Sequence, residues 1–128
     1  LNAQLVRMNA TASNLANVGV VSGTEESAFR AQRPVFSALL DGDTAGGFKN
    51  LAGGVRVDKI VDDTKPIEQL YEPGNSMANA DGYVFASNVS EIEELVDMLD
   101  ASRAYQNNVE VITSAKDLMI KTLGLIKV

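Results

Sequence analysis

Ser90, followed three residues later by Glu93, has the form of a capping box, and it opens an amphipathic run that lasts almost to the end of the chain. Its seam, at alternating spacings of three and four, reads Leu95, Met98, Ser102, Tyr105, Val109, Ile112, Lys116, Met119, Leu123 and Ile126, apolar everywhere except Ser102 and Lys116. Glu91, Glu93, Glu94, Asp97 and Asp100 crowd the start, and Lys116, Lys121 and Lys127 lie toward the end, as the helix dipole favours. A helix from Glu91 to Leu123 would be roughly 50 Å long. An apolar seam of that length needs a partner. An ordinary core, a membrane surface or a seam between subunits could supply one, and the acidic polar face disfavours the membrane.

The other end of the chain offers only part of the cover. Leu1, Leu5, Met8, Ala12 and Leu15 repeat at steps of four and three, so a short helix is expected to end near Asn17, with Gly19 beyond its C-terminus. This row is expected to pack antiparallel against part of the long seam. Met119, Leu123, Leu125 and Ile126 would then be left over, which predicts self-association through that end. Between the helices, residues 22 to 54 read as an irregular loop rich in Gly, Ser, Thr and Asp. Val55 to Val61 and Ile67 to Tyr71 read as strands that could pair as a hairpin, and Gly82 to Phe85 is a third extended piece after the Pro73-Gly74 turn. The fold class is therefore α+β: N- and C-terminal helices form an antiparallel, coiled-coil-like pair around a small, partly irregular β-containing middle. The expected divisions are 1–21, 22–88 and 89–128.

With 128 residues, 45% of them hydrophobic, the chain suits one domain rather than a disordered tail. It contains no Cys and no His, which removes disulfides, thiolate and imidazole catalysis and nitrogen- or sulfur-ligated metals. A net charge of −6 argues against a nucleic-acid partner, and no apolar stretch is long enough to span a membrane. No signal peptide is visible, and a chain beginning at Leu1 is expected to have lost upstream residues. Asp41 to Gly46 imitates the start of a calcium loop, but Ala45 and Ala52 stand where oxygen ligands are required. Asp62-Asp63 and Glu93-Glu94 are adjacent acids, better read as turn and helix-start charges than as a facing catalytic pair. The sequons at Asn9 and Asn88 are too short to carry weight. No cofactor, metal or catalytic residue is assigned, and no enzyme is expected.

Three ordered blocks carry a resemblance. Thr11-Ala12-Ser13-Asn14-Leu15-Ala16-Asn17 resembles the N-terminal signature of the bacterial flagellar rod, hook and hook-filament axial proteins. Tyr71 to Val84, with Pro73, Gly74, Gly82 and Tyr83 at the matching positions, resembles a second signature of that family. Ser102 to Val111, with Arg103, Tyr105, Gln106 and Val109, resembles the third. The length, the Asn108-Val109-Glu110-Val111 run and the Ala115 to Leu123 ending are most similar to proximal-rod subunits of the C type. The pattern is departed from at Gly19, Ser76, Asn79, Ser87 and Asn107. In this family Asn14 and Asn17 look functional, whereas the residues themselves favour Asn17 as a helix cap and Asn14 as a hydrogen-bond partner of the following loop.

The resemblance implies a structural subunit of the basal-body rod, the drive shaft across the periplasm, required for motility and exported by the flagellar type III apparatus without a cleaved signal peptide. Its partners would be itself and other rod subunits, the export apparatus, and membrane-ring or hook-basal-body proteins. Two alternatives stand beside it. A carboxylate-dependent cell-wall hydrolase would need two convergent acids in a cleft. A helical adaptor binding one partner helix would stop at a single complex instead of growing with concentration.

Overall fold

The computed structural model describes residues 1–39 and 54–126. The chain is α+β. Helix α1 (Asn2–Ala16) leads through β1 (Val21–Ser22), β2 (Gln32–Leu39), β3 (Gly54–Asp62), β4 (Gln69–Tyr71) and β5 (Tyr83–Ala86) to helix α2 (Glu91–Ile126). The helices run antiparallel: Asn14 near the end of α1 meets Glu94 near the start of α2, and Leu1 to Gln4 share a pocket with Asn108. At 1.5 Å per residue α1 measures about 22 Å and α2 about 54 Å, so α2 runs on for roughly 27 Å past Asn108 without α1 beside it.

Helix α1 has little intrinsic support. Leu1 at its N-cap makes no side-chain cap, and no acid stands in the first turn. Its C-terminus is better held. Asn17, at φ −111°, donates its N–H to Asn14 O and its Nδ2 to Ser13 O at 2.8 Å. At the other helix, the Ser90 carbonyl accepts the Glu94 N–H at 3.0 Å, so α2 starts where the capping motif places it. Glu93 does not turn back to Ser90, however. Its carboxylate reaches Lys65 Nζ at 2.7 Å.

The middle corrects two expectations. The stretch 22–54 is not all irregular, because β2 lies inside it and pairs antiparallel with β3 in a two-stranded ribbon. The expected hairpin between 55–61 and 67–71 does not form. β3 pairs with β2 instead, while β4 pairs with β5 in a three-stranded sheet ordered β1-β5-β4. The ribbon shifts register between Val35 and Phe36, leaving Asp58 unpaired as a bulge, and Phe36 is brought under Arg7 of α1 at 5.6 Å from the ring centroid. Residues 41–46, the calcium-loop imitation, lie outside the described residues.

Gly82 is required by geometry. Its φ is +82°, and a Cβ there would stand 3.1 Å from the Tyr71 ring and 3.2 Å from Pro73 Cβ. The close approach lets Tyr71 and Tyr83 meet with ring centroids 5.2 Å apart. Asn79, a departure from the family pattern, closes this turn by accepting the N–H groups of Asp81 and Tyr83. Ser87, another departure, donates its hydroxyl to Val18 O at 2.8 Å and ties β5 to the end of α1.

The buried interior is small. Among the described residues Ala10, Ala28, Ala31, Val84 and Ala101 are its apolar members, and the largest fully buried side chains are Glu94, Val84 and Asn14. Two of those three are polar, so hydrogen bonds and ion pairs carry much of the specificity where the elements meet.

Candidate assembly interface

The interior polar pair is the hub of a clamp. Asn14 faces the backbone of Gln32 as a neighbouring strand would: its Oδ1 accepts the Gln32 N–H at 2.8 Å and its Nδ2 donates to the Gln32 carbonyl at 3.1 Å. Nδ2 also donates to Glu94 Oε2 at 3.0 Å. The other oxygen of Glu94 lies 2.9 Å from Arg33 Nη1, an ion pair without hydrogen-bond alignment, while Nη1 donates to Asp97 at 3.2 Å and Nε to Asp63 at 3.3 Å. Asn88 adds a second tie, accepting the Ala31 N–H at 2.7 Å and donating to the carbonyls of Asp63 and Lys65. Thus α1, β2, the end of β3 and the start of α2 are locked in one arrangement. The sequence motifs had pointed to Asn14. Arg33, Gln32, Asn88 and Glu94 were missed, and the available signal was an acid at position 94 in helical register with Ala101 and Tyr105.

Acids therefore converge here, but on a guanidinium and not across a cleft. The Lys65 N–H, donated to Asp63 at 3.0 Å, and Arg33 beside it hold the Asp63 carboxyl below its usual range. Lys65 does the same to Glu93, and Glu93 raises the Lys65 ammonium. A carboxyl that is more acidic folded than unfolded stabilises the fold above the unfolded value, and this is lost as pH falls through the folded one. Thermal midpoints are expected to fall between about pH 5 and about pH 2. Asp63→Asn should flatten that limb, measured by circular dichroism; an unchanged acid limb would place the sensitive groups elsewhere. Among the described residues no cluster could hold a metal ion, and no helix is long and apolar enough to cross a membrane.

Around this clamp the helices carry their apolar residues outward. The α1 face that packs holds Ala10, Thr11 and Asn14, with Ala3 and Arg7 half-buried in line with them. The expected row is turned more than a third of a turn away from that face. Leu1 is 43% and Leu5 41% exposed, Ala12 is exposed, and Met8 and Leu15 are half-buried. Intrachain packing of that row is thus corrected: the small and polar face turns inward because the clamp and the close approach of α2 require it.

On α2 the covered face carries Glu94, Met98, Ala101 and Tyr105, fully or half-buried. In a straight helix the same line continues past α1 as Ile112, Met119, Leu123 and Ile126. Among the described residues nothing covers it there: Met119 is 67% and Leu123 64% exposed, and Val109, Ile112 and Ile126 are exposed as well. Leu95, at the other end of the seam, is also exposed. The remaining motif residues divide between turn and surface. Pro73, Gly74, Tyr83, Arg103 and Gln106 are exposed, and Gly82 is half-buried.

The helix pair has a polar lock inside and apolar rows outside, the surface pattern that marks interaction sites. Residues 80–125 match the family described as "Flagellar basal body rod FlgEFG protein C-terminal". Over 125 residues the chain is 42% identical to the flagellar basal-body rod protein FlgC of Salmonella typhimurium, covering 98% of this chain and 89% of that protein. The FlgC of Escherichia coli O157:H7 gives the same values, and that of Bacillus subtilis is 31% identical over 136 residues, with 98% and 90% covered. The chain belongs to the FlgC family of flagellar basal-body rod proteins, whose members are structural subunits and not enzymes.

Proposed function

We propose that this chain builds the proximal part of the rod, joining copies of itself and other rod subunits through its terminal helices. The observation that carries the reading is the uncovered continuation of the α2 contact face, about 27 Å of helix with apolar side chains in water. The interface residues assigned to it are Leu1, Leu5, Met8, Ala12 and Leu15 on α1, and Leu95, Met98, Tyr105, Val109, Ile112, Met119, Leu123 and Ile126 on α2. Of the family motif residues, Asn14 holds α1 against Gln32 and Glu94, and Asn17 closes the end of α1. Passage through the flagellar type III apparatus without a cleaved signal, a periplasmic position and contacts with membrane-ring or hook-basal-body proteins follow from this role, as does a requirement for motility.

Met119→Glu with Leu123→Glu tests it. Burying each side chain is worth about 1.5 to 3 kcal/mol, so the pair should weaken self-association by roughly a hundredfold or more. Both positions are exposed in the single chain, so the thermal midpoint should hold while light-scattering mass falls to the 13.6 kDa of one chain and swimming is lost in a complemented strain. Unchanged mass and motility would refute the reading.

A further inference from the structure

Strand β4 is an edge of the three-stranded sheet, and among the described residues β5 is its one neighbouring strand. Its ladder runs one residue past each end, since the Glu72 N–H donates to Gly82 O at 3.0 Å and the Ala86 N–H to Glu68 O at 2.9 Å. In an antiparallel pair the bonds to one neighbour come from alternate residues, so Leu70 bonds Val84 while Gln69 and Tyr71 turn their backbone N–H and C=O groups to the open side. The edge from Glu68 to Glu72 is a template for one more strand.

The two faces of this edge differ. One carries Tyr71, 66% exposed, against Tyr83, with Pro73 beside them at the Gly82 turn. The other carries Glu68, Leu70 and Glu72, all exposed. Among the described residues neither acid is in an ion pair, and Glu72 accepts only the Asn75 amide, at 2.9 Å. No basic residue stands between Lys65 and Arg103, and Asp81 in the turn adds another acid. The cations that flank the sheet, Arg30 and Lys65, are already engaged by Glu25 and Glu93. An aromatic face and an uncompensated acidic face on one open edge select for a cationic partner.

We infer that β4 receives an extended segment of another protein in which basic and apolar residues alternate. Laid beside β4, the segment satisfies the backbone groups of Gln69 and Tyr71. Its basic side chains stand on the face of Glu68, Leu70 and Glu72, with their stems over Leu70, and its apolar ones meet Tyr71. A second copy of this chain fits less well, because β3, its strand with basic residues, carries Asp58 and Asp62 beside Arg56 and Lys59. The contact uses neither α1 nor the overhang of α2 past Asn108, so its outcome is separate from the rod-subunit reading.

The probe is a synthetic peptide of alternating Arg and Val, with a Glu-Val peptide of equal length as its counterpart, each titrated into the full chain. At saturation with the Arg-Val peptide, hydrogen exchange of the Gln69 and Tyr71 amides should slow at least about tenfold, while the Leu70 amide, bonded to β5 already, should change less. Glu68→Lys with Glu72→Lys should weaken the Arg-Val peptide by about tenfold or more and let the Glu-Val peptide bind in its place. Both acids are exposed and outside the clamp, so the circular dichroism of this variant should match the parent. Absence of binding, or equal affinity after the charge reversal, overturns the inference. Binding that leaves the Gln69 and Tyr71 amides unprotected overturns it too, since the peptide then sits on another acidic surface.

Discussion

Arg33→Met is expected to destabilise the fold by about 3–5 kcal/mol, the cost of leaving a buried carboxylate without its counter-charge. Glu94 is fully buried, and Arg33 Nη1, 2.9 Å away, is the nearest cation. Asp63 and Asp97 lose their partner in the same change, although both keep contact with water. For a chain of this size the midpoint should fall by roughly 10–20 °C by circular dichroism. Adding Glu94→Gln removes the stranded charge and keeps an acceptor for Asn14, so the double variant should recover more than half of the loss. A single variant within about 1 kcal/mol of the parent would show that Glu94 does not need this guanidinium. A double variant no better than the single would put the loss on Asp63 and Asp97 instead.

Asn14→Asp is the second large effect, because the change keeps shape and volume and alters only hydrogen bonding and charge. The amide nitrogen now donates to Gln32 O and Glu94 Oε2, and an aspartate donates to neither. The Gln32 carbonyl is left without this partner, and a second carboxylate stands against a buried one. A loss of about 3 kcal/mol at neutral pH is expected, read as a lower urea midpoint with unchanged slope. Since the clamp sets how α1 and the β2-β3 ribbon meet α2, the variant should also impair swimming while leaving the overhang intact. A urea midpoint equal to that of the parent would remove Asn14 from the clamp and leave its place in the family motif without a structural reason.

These two residues also separate what could be read early from what could not. Helix α2 was legible from Ser90 onward, because a local cap and a 3.6-residue period are properties of neighbouring residues. The end of α1 at Asn17 and the turn through Gly82 were legible for the same reason: one is a side chain closing its own helix, the other a backbone angle that only glycine takes easily. The three family blocks made the class of protein plain, and Asn14 stood in the first of them.

Tertiary structure decided the partners. The β2-β3 ribbon joins residues far apart in sequence, and the alternation in 55–61 says that a strand exists without saying which strand it meets. The inward face of α1 was misjudged because hydrophobic period assumes that the apolar row is the buried one. In this chain Asn14 is satisfied by Gln32 and Glu94, so a polar residue can be fully buried and Leu1 and Leu5 can face out. Glu94 and Arg33 were illegible singly, since an acid at a helix start is ordinarily a surface charge. Burial and counter-charge reach it only when four separated segments come together. Local order was written in spacing and caps, and the choice of which surfaces close within the chain and which stay exposed was made by packing.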